Sequence, residues 1–354
     1  PLSQYAHSAL PDGFNLHETT GPQEHIALAG FFYGILPSMT TVRTMDWQTV
    51  SPETFELGES PFWHPTEQTL YWVDIPARKI LRANVYMGTV ETWNMPSEPG
   101  CIAPAACGGL VIALRHGVFL APGWGGELQR LVTLPYDTAT VRANDGKCDA
   151  LGRFWVGTID EPKARRGAEL FSIDCREGRA PQVKRHAGDA LTGNGLAWSP
   201  DGHTAYWADT PGHVVHAWNY DLQANALDAH RIFQQLPPKP AHWQWDAVRV
   251  NGQAPYGGRP DGAAVDMQGN YFVAMYEGQR ICQFAPDGRL LAEFPVPAQC
   301  PTMPCFGGED LKTLYVTTAR HGRSAQELEA YPQSGCVFST RLEVPGLPVN
   351  FFSI

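Results

Sequence analysis

The chain has 354 residues, including 35 glycines, 30 prolines, 11 tryptophans and 16 phenylalanines, and a formal net charge of −10. An acidic balance spread along the chain argues against nucleic acid as a partner, because phosphate binding needs a basic face, and no segment reaches the roughly 18–20 uninterrupted apolar residues of a membrane span. The glycine, proline and aromatic content suits many short strands joined by turns, in one large all-β domain or two smaller ones.

Residues 1–45 are polar and punctuated by Gly and Pro, and are expected to form an irregular extension, with Met39 a candidate natural start. From residue 46 to 354 a unit recurs: a turn containing Asp, Gly or Pro, then a short aromatic and β-branched run. The runs are Leu70-Tyr71-Trp72-Val73-Asp74, the weaker Leu110-Val111-Ile112-Ala113, and Phe154-Trp155-Val156-Gly157. They continue with Ala205-Tyr206-Trp207-Ala208-Asp209, Tyr271-Phe272-Val273-Ala274 and Leu314-Tyr315-Val316-Thr317. Second strand-like runs follow, as in Lys79-Ile80-Leu81-Arg82-Ala83. Six such units at a spacing of roughly 40–65 residues fit the four-stranded blades of a six-bladed β-propeller. A pair of β-sandwiches is the bland alternative. Long amphipathic helices are missing, which excludes parallel βαβ units. The one helical candidate spans residues 324–331, and the run at 335–340 is expected to pair with an N-terminal strand and close the ring.

The longest stretch without strand periodicity is residues 236–259, with Pro237, Pro238, Pro240, Trp243, Trp245 and Tyr256. Its aromatics, just ahead of Asp261, predict an ordered flap near a site. The 8 cysteines show no Cys-x-x-Cys spacing and are too dilute for a disulfide scaffold. With no signal peptide visible, reduced thiols in a cytoplasmic protein are expected, a Cys300–Cys305 bridge being the one pairing considered.

Four segments place a carboxylate or carboxamide beside Gly or Pro at the start of a strand-like run. They are Leu57-Gly58-Glu59-Ser60-Pro61, Arg142-Ala143-Asn144-Asp145-Gly146-Lys147, Gly193-Asn194-Gly195-Leu196 and Arg259-Pro260-Asp261-Gly262. Each alone reads as a turn; Asn144-Asp145-Gly146 resembles a type I′ signal. Together they are how a ring of strands would deliver oxygen ligands to one central divalent cation. Arg142 adds a cation suited to hydroxyls or a developing carboxylate. Asp160 and Glu161 add carboxylates able to hydrogen-bond a polyol. No Gly-x-Ser-x-Gly, His-Glu-x-x-His or phosphate loop occurs. His213 and His216, placed on a strand, are expected to point apart. The chemistry therefore reads as oxygen-ligated and metal-assisted.

These segments, with Leu57-Gly58-Glu59-Ser60-Pro61-Phe62-Trp63, Gly152-Arg153-Phe154-Trp155-Val156-Gly157-Thr158 and Cys305-Phe306-Gly307-Gly308, resemble the senescence marker protein (regucalcin), gluconolactonase and luciferin-regenerating-enzyme family. The resemblance covers about residues 50–354 in order. It implies a six-bladed propeller with one divalent metal at its axis, held by Glu59, Asn194 and Asp261. It places Arg142 and Asn144 on the substrate, with the family's acidic substrate residue falling near Glu161. It departs at Ser60, where the family often has Gly, and in the long segment 236–259. The implied activity is hydrolysis of a sugar lactone to the aldonic acid, with Asp261 as ligand and base, in a cytoplasmic monomer or weak oligomer. The metal is left open among Ca²⁺, Zn²⁺, Mn²⁺, Mg²⁺ and Fe²⁺. A metal-dependent esterase or phosphotriesterase, and a non-enzymatic calcium-binding propeller, are the alternatives.

Overall fold

A computed structural model describes residues 41–245 and 256–354. Residues 1–40 of the extension expected at 1–45, the Met39 start and the middle of segment 236–259 lie outside these residues. Thr40–Ile354 forms a compact unit of six sheets that follow one another along the chain. In each, the first strand is innermost. The inner strands are Gly58–His64, Pro99–Pro104, Val141–Cys148, Gly193–Trp198, Arg259–Val265 and Pro301–Gly307. They touch in cyclic order, the sixth returning to the first. This is the expected six-bladed β-propeller.

The aromatic runs read from the sequence are the second strands of the blades, Thr69–Asp74, Leu110–Leu114, Phe154–Asp160, Thr204–Asp209, Tyr271–Tyr276 and Thr313–Thr318. They are buried on both faces because blades stack face to face. Six apolar clusters result, each between two neighbouring blades. Trp72, Trp155 and Trp207 are fully buried there. Each such side chain removes on the order of 200 Å² from water, which explains why this strand carries the strongest signal.

Closure follows the expected route. Gln48 and Thr49 pair with Ser339 and Phe338, completing the sixth blade with an N-terminal strand. Thr41–Val42 adds a parallel fifth strand to the fifth blade, ahead of Asp46. The short helix is Ala325–Ala330, capped by Ser324, whose hydroxyl accepts from the Glu327 N–H.

Two local expectations change. Asn144-Asp145-Gly146 is not a hairpin turn but lies inside the inner strand Val141–Cys148. His213 sits in the turn before the strand Val214–Asp221 with a left-handed backbone, φ 53°. It accepts from the Lys239 N–H, whereas His216 pairs with His230 at 2.9 Å. Cys300 and Cys305 are not bridged, and all eight cysteines are free thiols.

Candidate active site

Every inner strand slips register against the second strand of its blade, next to Glu59, Pro99, Ala143, Asn194, Pro260 and Pro301. A bulge bends a strand and re-aims the side chains beside it. Four of the six slips carry the polar residues picked out above. The loops leading in are pinned. Asp74 accepts from the Glu56 and Leu57 N–H groups at 2.9 and 3.2 Å. Asp209 accepts from the Leu191 and Thr192 N–H groups at 3.0 and 3.2 Å. The pinned residues lie two and three positions before a predicted ligand, Glu59 or Asn194.

The bulges impose their own backbone. Ser60 has φ 49° and Gly195 φ 61°, the left-handed region that favours glycine. Ser60 holds its conformation by bonding the next blade: its Oγ accepts from the Ile102 N–H at 3.0 Å. Gly262 is required for closeness, since a Cβ there would collide with the Met303 side chain and lie 2.9 Å from the Thr302 carbonyl.

Glu59, Arg142, Asn144, Asn194 and Asp261 are all buried. Arg142 donates to the Asn144 Oδ1 at 3.0 Å. Asn144 Nδ2 donates to the Asn194 Oδ1 at 2.8 Å, and Asn194 Nδ2 donates to the Thr210 hydroxyl at 2.8 Å. Asn194 Oδ1 keeps a second lone pair. Asp145, to which no sequence motif assigns a role, is buried too, and its Oδ2 accepts from the Leu196 N–H at 2.9 Å. The bulge between Ala143 and Gly146 lets both adjacent residues point inward; strict alternation would not.

Burial first, and then the Asp261 and Asp145 carboxylates, push the Glu59 carboxyl well above its ordinary 4.5. Burial and Asp145 do the same to Asp261. The buried Glu59 Oε2 and Asp145 Oδ1 have no hydrogen-bond partner. Unpaired buried carboxylates are costly, and a cation would relieve that cost. Among the described residues, no three His, Cys, Asp or Glu side chains are grouped so as to hold a metal. A cation at the axis would therefore draw on carboxamide oxygen as well. Glu59, Asp261 and Asn194 fit that mixed, all-oxygen donor set.

Glu161 is engaged elsewhere. Arg115 grips it through both Nη atoms at 2.8 and 3.0 Å, and Arg142 Nε lies 3.4 Å away. Asp160 closes the following turn by accepting from the Ala164 and Arg165 N–H groups at 3.1 and 2.8 Å. Lys163 sits in that turn, exposed at the rim, with a left-handed φ of 52°. Partial desolvation and the Arg259 charge lower its ammonium pKa.

The ends of segment 236–259 are ordered. Lys239 Nζ contacts both Glu277 oxygens at 2.9 Å, and Trp245 Nε1 donates to Gln299 at 3.1 Å. Trp243 packs edge-on to Tyr256 at 5.0 Å. On the later residues of the inner strands lies a separate cavity of about 310 Å³, lined by Trp63, Trp198, Met303 and Phe306 among others. Lys147 lines it, its amine donating to the Ala263 carbonyl.

The chain belongs to the family described as SMP-30/Gluconolactonase/LRE-like, whose model matches residues 57–320. It is 41% identical over 297 residues to the 6-deoxy-6-sulfogluconolactonase of Pseudomonas putida, covering 84% of this chain and 95% of that protein. It is 32% identical to zebrafish (Danio rerio) regucalcin, covering 85% and 96%. Among solved structures it is similar to a calcium-binding regucalcin from Agrobacterium tumefaciens, with a TM-score of 0.79 and 23% identity over 89% of this chain and all of that one. The similarity to a gluconolactonase from Xanthomonas campestris has a TM-score of 0.63 and 21% identity, covering 85% and 89%. At those identities the two structures speak for the fold.

Proposed function

We propose that this protein hydrolyses a sugar lactone to its aldonic acid at the axial site, with one divalent cation held by Glu59, Asn194 and Asp261. The observation that carries the reading is the convergence of buried carboxylates, two of them with unpartnered oxygens, on a relay of two carboxamides and an arginine. A pure scaffold has no use for uncompensated charge at its axis. The lactone class is supported by the 41% identical relative, whose name is that of a lactonase.

Bound there, the cation would supply electrostatic stabilisation of the negative charge that develops as the carbonyl is attacked. Arg142 and Asn144 orient the substrate from the third blade, and Glu161 fixes Arg142 from behind. Asp261 takes a proton from the attacking water. As the carboxylate bound to the cation, Asp261 keeps a second oxygen that can accept the proton. The acyl C–O bond then breaks, and the ring oxygen leaves with the proton that Asp261 took from the water. The cation remains open among Ca²⁺, Zn²⁺, Mn²⁺, Mg²⁺ and Fe²⁺. The cytoplasm is the compartment proposed with this reading.

The test is proton release from a panel of aldonolactones and simple esters at constant pH, with spontaneous opening subtracted, alongside elemental analysis of protein purified without added metal. Lactone turnover above background and about one bound divalent cation per chain support the proposal. Ester or phosphotriester turnover without lactone turnover overturns it.

A further inference from the structure

The two-residue turn between Leu110–Leu114 and Gly117–Ala121, in the second blade, carries a side chain that reaches the third. Arg115 leaves this turn with its guanidinium spread over two carboxylates. Its Nε donates to Glu98 at 3.0 Å, and its Nη1 and Nη2 donate to the two oxygens of Glu161 at 2.8 and 3.0 Å. Nη1 also donates to the Thr138 carbonyl, and the Arg115 carbonyl accepts from the Tyr136 hydroxyl, both at 3.1 Å. Glu161 is fixed a second time through its backbone, whose N–H donates to the Thr140 carbonyl at 3.0 Å. Beyond Glu161 lies Arg142, its Nε 3.4 Å from the same carboxylate oxygen that Arg115 Nη2 holds. Charges therefore alternate from Glu98 through Arg115 and Glu161 to Arg142. Arg115 keeps 16% of its side-chain surface exposed and Arg142 10%, so these are not the solvated surface pairs that contribute little.

The bonds in this row are unequal. Arg115 grips Glu161 through two N–H groups, the geometry that fixes the plane of a carboxylate, whereas Arg142 approaches it only to 3.4 Å. Arg142 Nη1 is occupied by the Ala143 carbonyl at 2.9 Å and the Asn144 Oδ1 at 3.0 Å. Its Nη2 donates to no group among the described residues. We propose that Arg115 is a positioning residue. By fixing the Glu161 carboxylate from the second blade, it sets the angle of the Arg142 guanidinium and keeps Nη2 free to donate to a substrate oxygen. Without Arg115, Glu161 would swing onto Arg142 and engage Nη2 as well as Nε. Glu161 then serves Arg142 and not a sugar hydroxyl, since Arg115 holds both of its oxygens. The inference rests on the axial site being where the lactone binds, and it deepens that reading by naming the residue that orients its arginine.

A double-mutant cycle on the full chain tests it, read in binding and in turnover. Binding is measured by calorimetry with gluconate, the open acid that gluconolactone yields, and turnover with gluconolactone, spontaneous opening subtracted. Arg115→Met should weaken gluconate binding about tenfold and lower kcat/KM on gluconolactone by a similar factor, mainly through KM. In an Arg142→Met background the same change should cost less than about twofold, because the residue it acts through is gone. Arg115→Lys keeps the charge between Glu98 and Glu161 but not the two-pronged grip, and should lose about threefold. It carries the cycle if Arg115→Met does not fold. An equal loss in both backgrounds makes Arg115 a structural residue and overturns the inference. So does an Arg115 variant that loses nothing in either measurement. Coupled loss of gluconate binding without any lactone turnover would uphold the positioning role and fault the lactonase reading alone.

Discussion

Asn144 and Asn194 are joined side chain to side chain, Nδ2 to Oδ1 at 2.8 Å, across the third and fourth blades. Both residues sit where their strands slip register. The bond fixes which way the Asn194 oxygen faces, and Arg142 fixes Asn144 in turn.

Asn144→Ala should therefore act on catalysis more than on folding. It removes the donor to Asn194 and the acceptor of Arg142. We expect kcat/KM on a lactone to fall roughly 10–100-fold, equivalent to about 1.4–2.8 kcal/mol. Asn144→Asp should instead place two acceptors face to face and add a carboxylate beside Glu59 and Asp145. That variant should melt lower than wild type in chelator and recover more on adding a divalent cation. Calorimetric Tm values with and without metal check both. A wild-type response to metal from Asn144→Asp would remove Asn144 from the site.

Ser60 offers a test of the bulge itself. Its left-handed backbone, φ 49°, is strained for any residue but glycine, while its hydroxyl bonds the Ile102 backbone. Ser60→Ala keeps the strain and loses the bond, and should destabilise by about 1–2 kcal/mol. Ser60→Gly loses the bond and the strain together, and should come within about 1 kcal/mol of wild type. Urea midpoints at equal slope decide. Should the Ala and Gly variants unfold together, backbone strain at Ser60 is not a determinant of stability.

The propeller is legible in the sequence because the second strands concentrate Trp, Tyr and β-branched residues between turns. Trp72, Trp155 and Trp207 are the interior of the fold written as a repeat. The predicted ligands Glu59, Asn194 and Asp261 are legible for a different reason: each neighbours a glycine or proline, and the bulges need such residues. What stays hidden depends on the bulges themselves. Asp145 follows Asn144, and period-two alternation would send them to opposite faces; only the slip at Ala143 brings both inward. The left-handed backbone of Ser60 has the same character, since serine does not announce it as glycine would.

Trp243 tests the ordered part of segment 236–259. Its ring lies under the Lys239 ammonium at 4.8 Å and packs edge-on to Tyr256 at 5.0 Å. Cation–π contacts at such partly exposed sites contribute about 0.5–1 kcal/mol, so Trp243→Ala should lower Tm by only about 2–4 °C. If the segment is a flap, preference among lactones should shift several-fold. A large drop in Tm with preference intact would make it structural packing.

Asp261 and Glu59 carry the last prediction, because burial and neighbouring carboxylates raise both. A carboxyl whose folded pKa lies above its unfolded value binds its proton more tightly in the native state. The stability it adds is full below the ordinary values, 4.5 for Glu59 and 3.8 for Asp261. It is lost as pH rises through the raised folded values. Chelated wild type should thus lose stability through these two groups as pH rises from the ordinary carboxylate range through their raised folded values. Asp261→Asn removes one of them nearly isosterically, so its chelated Tm should fall less over that range. A divalent cation should raise the wild-type Tm most at the alkaline end, where both carboxylates are ionised and repel. Asp261→Asn should also lose nearly all lactone turnover, since it removes the proposed base. Glu59→Gln should weaken metal binding while leaving that base in place, so excess metal should restore more of its rate than that of Asp261→Asn. Metal content by elemental analysis and Tm as a function of pH read the site without relying on activity. If Asp261→Asn and Glu59→Gln both keep wild-type metal content, rate and pH profile, the buried carboxylates at the axis serve the fold and not a cation.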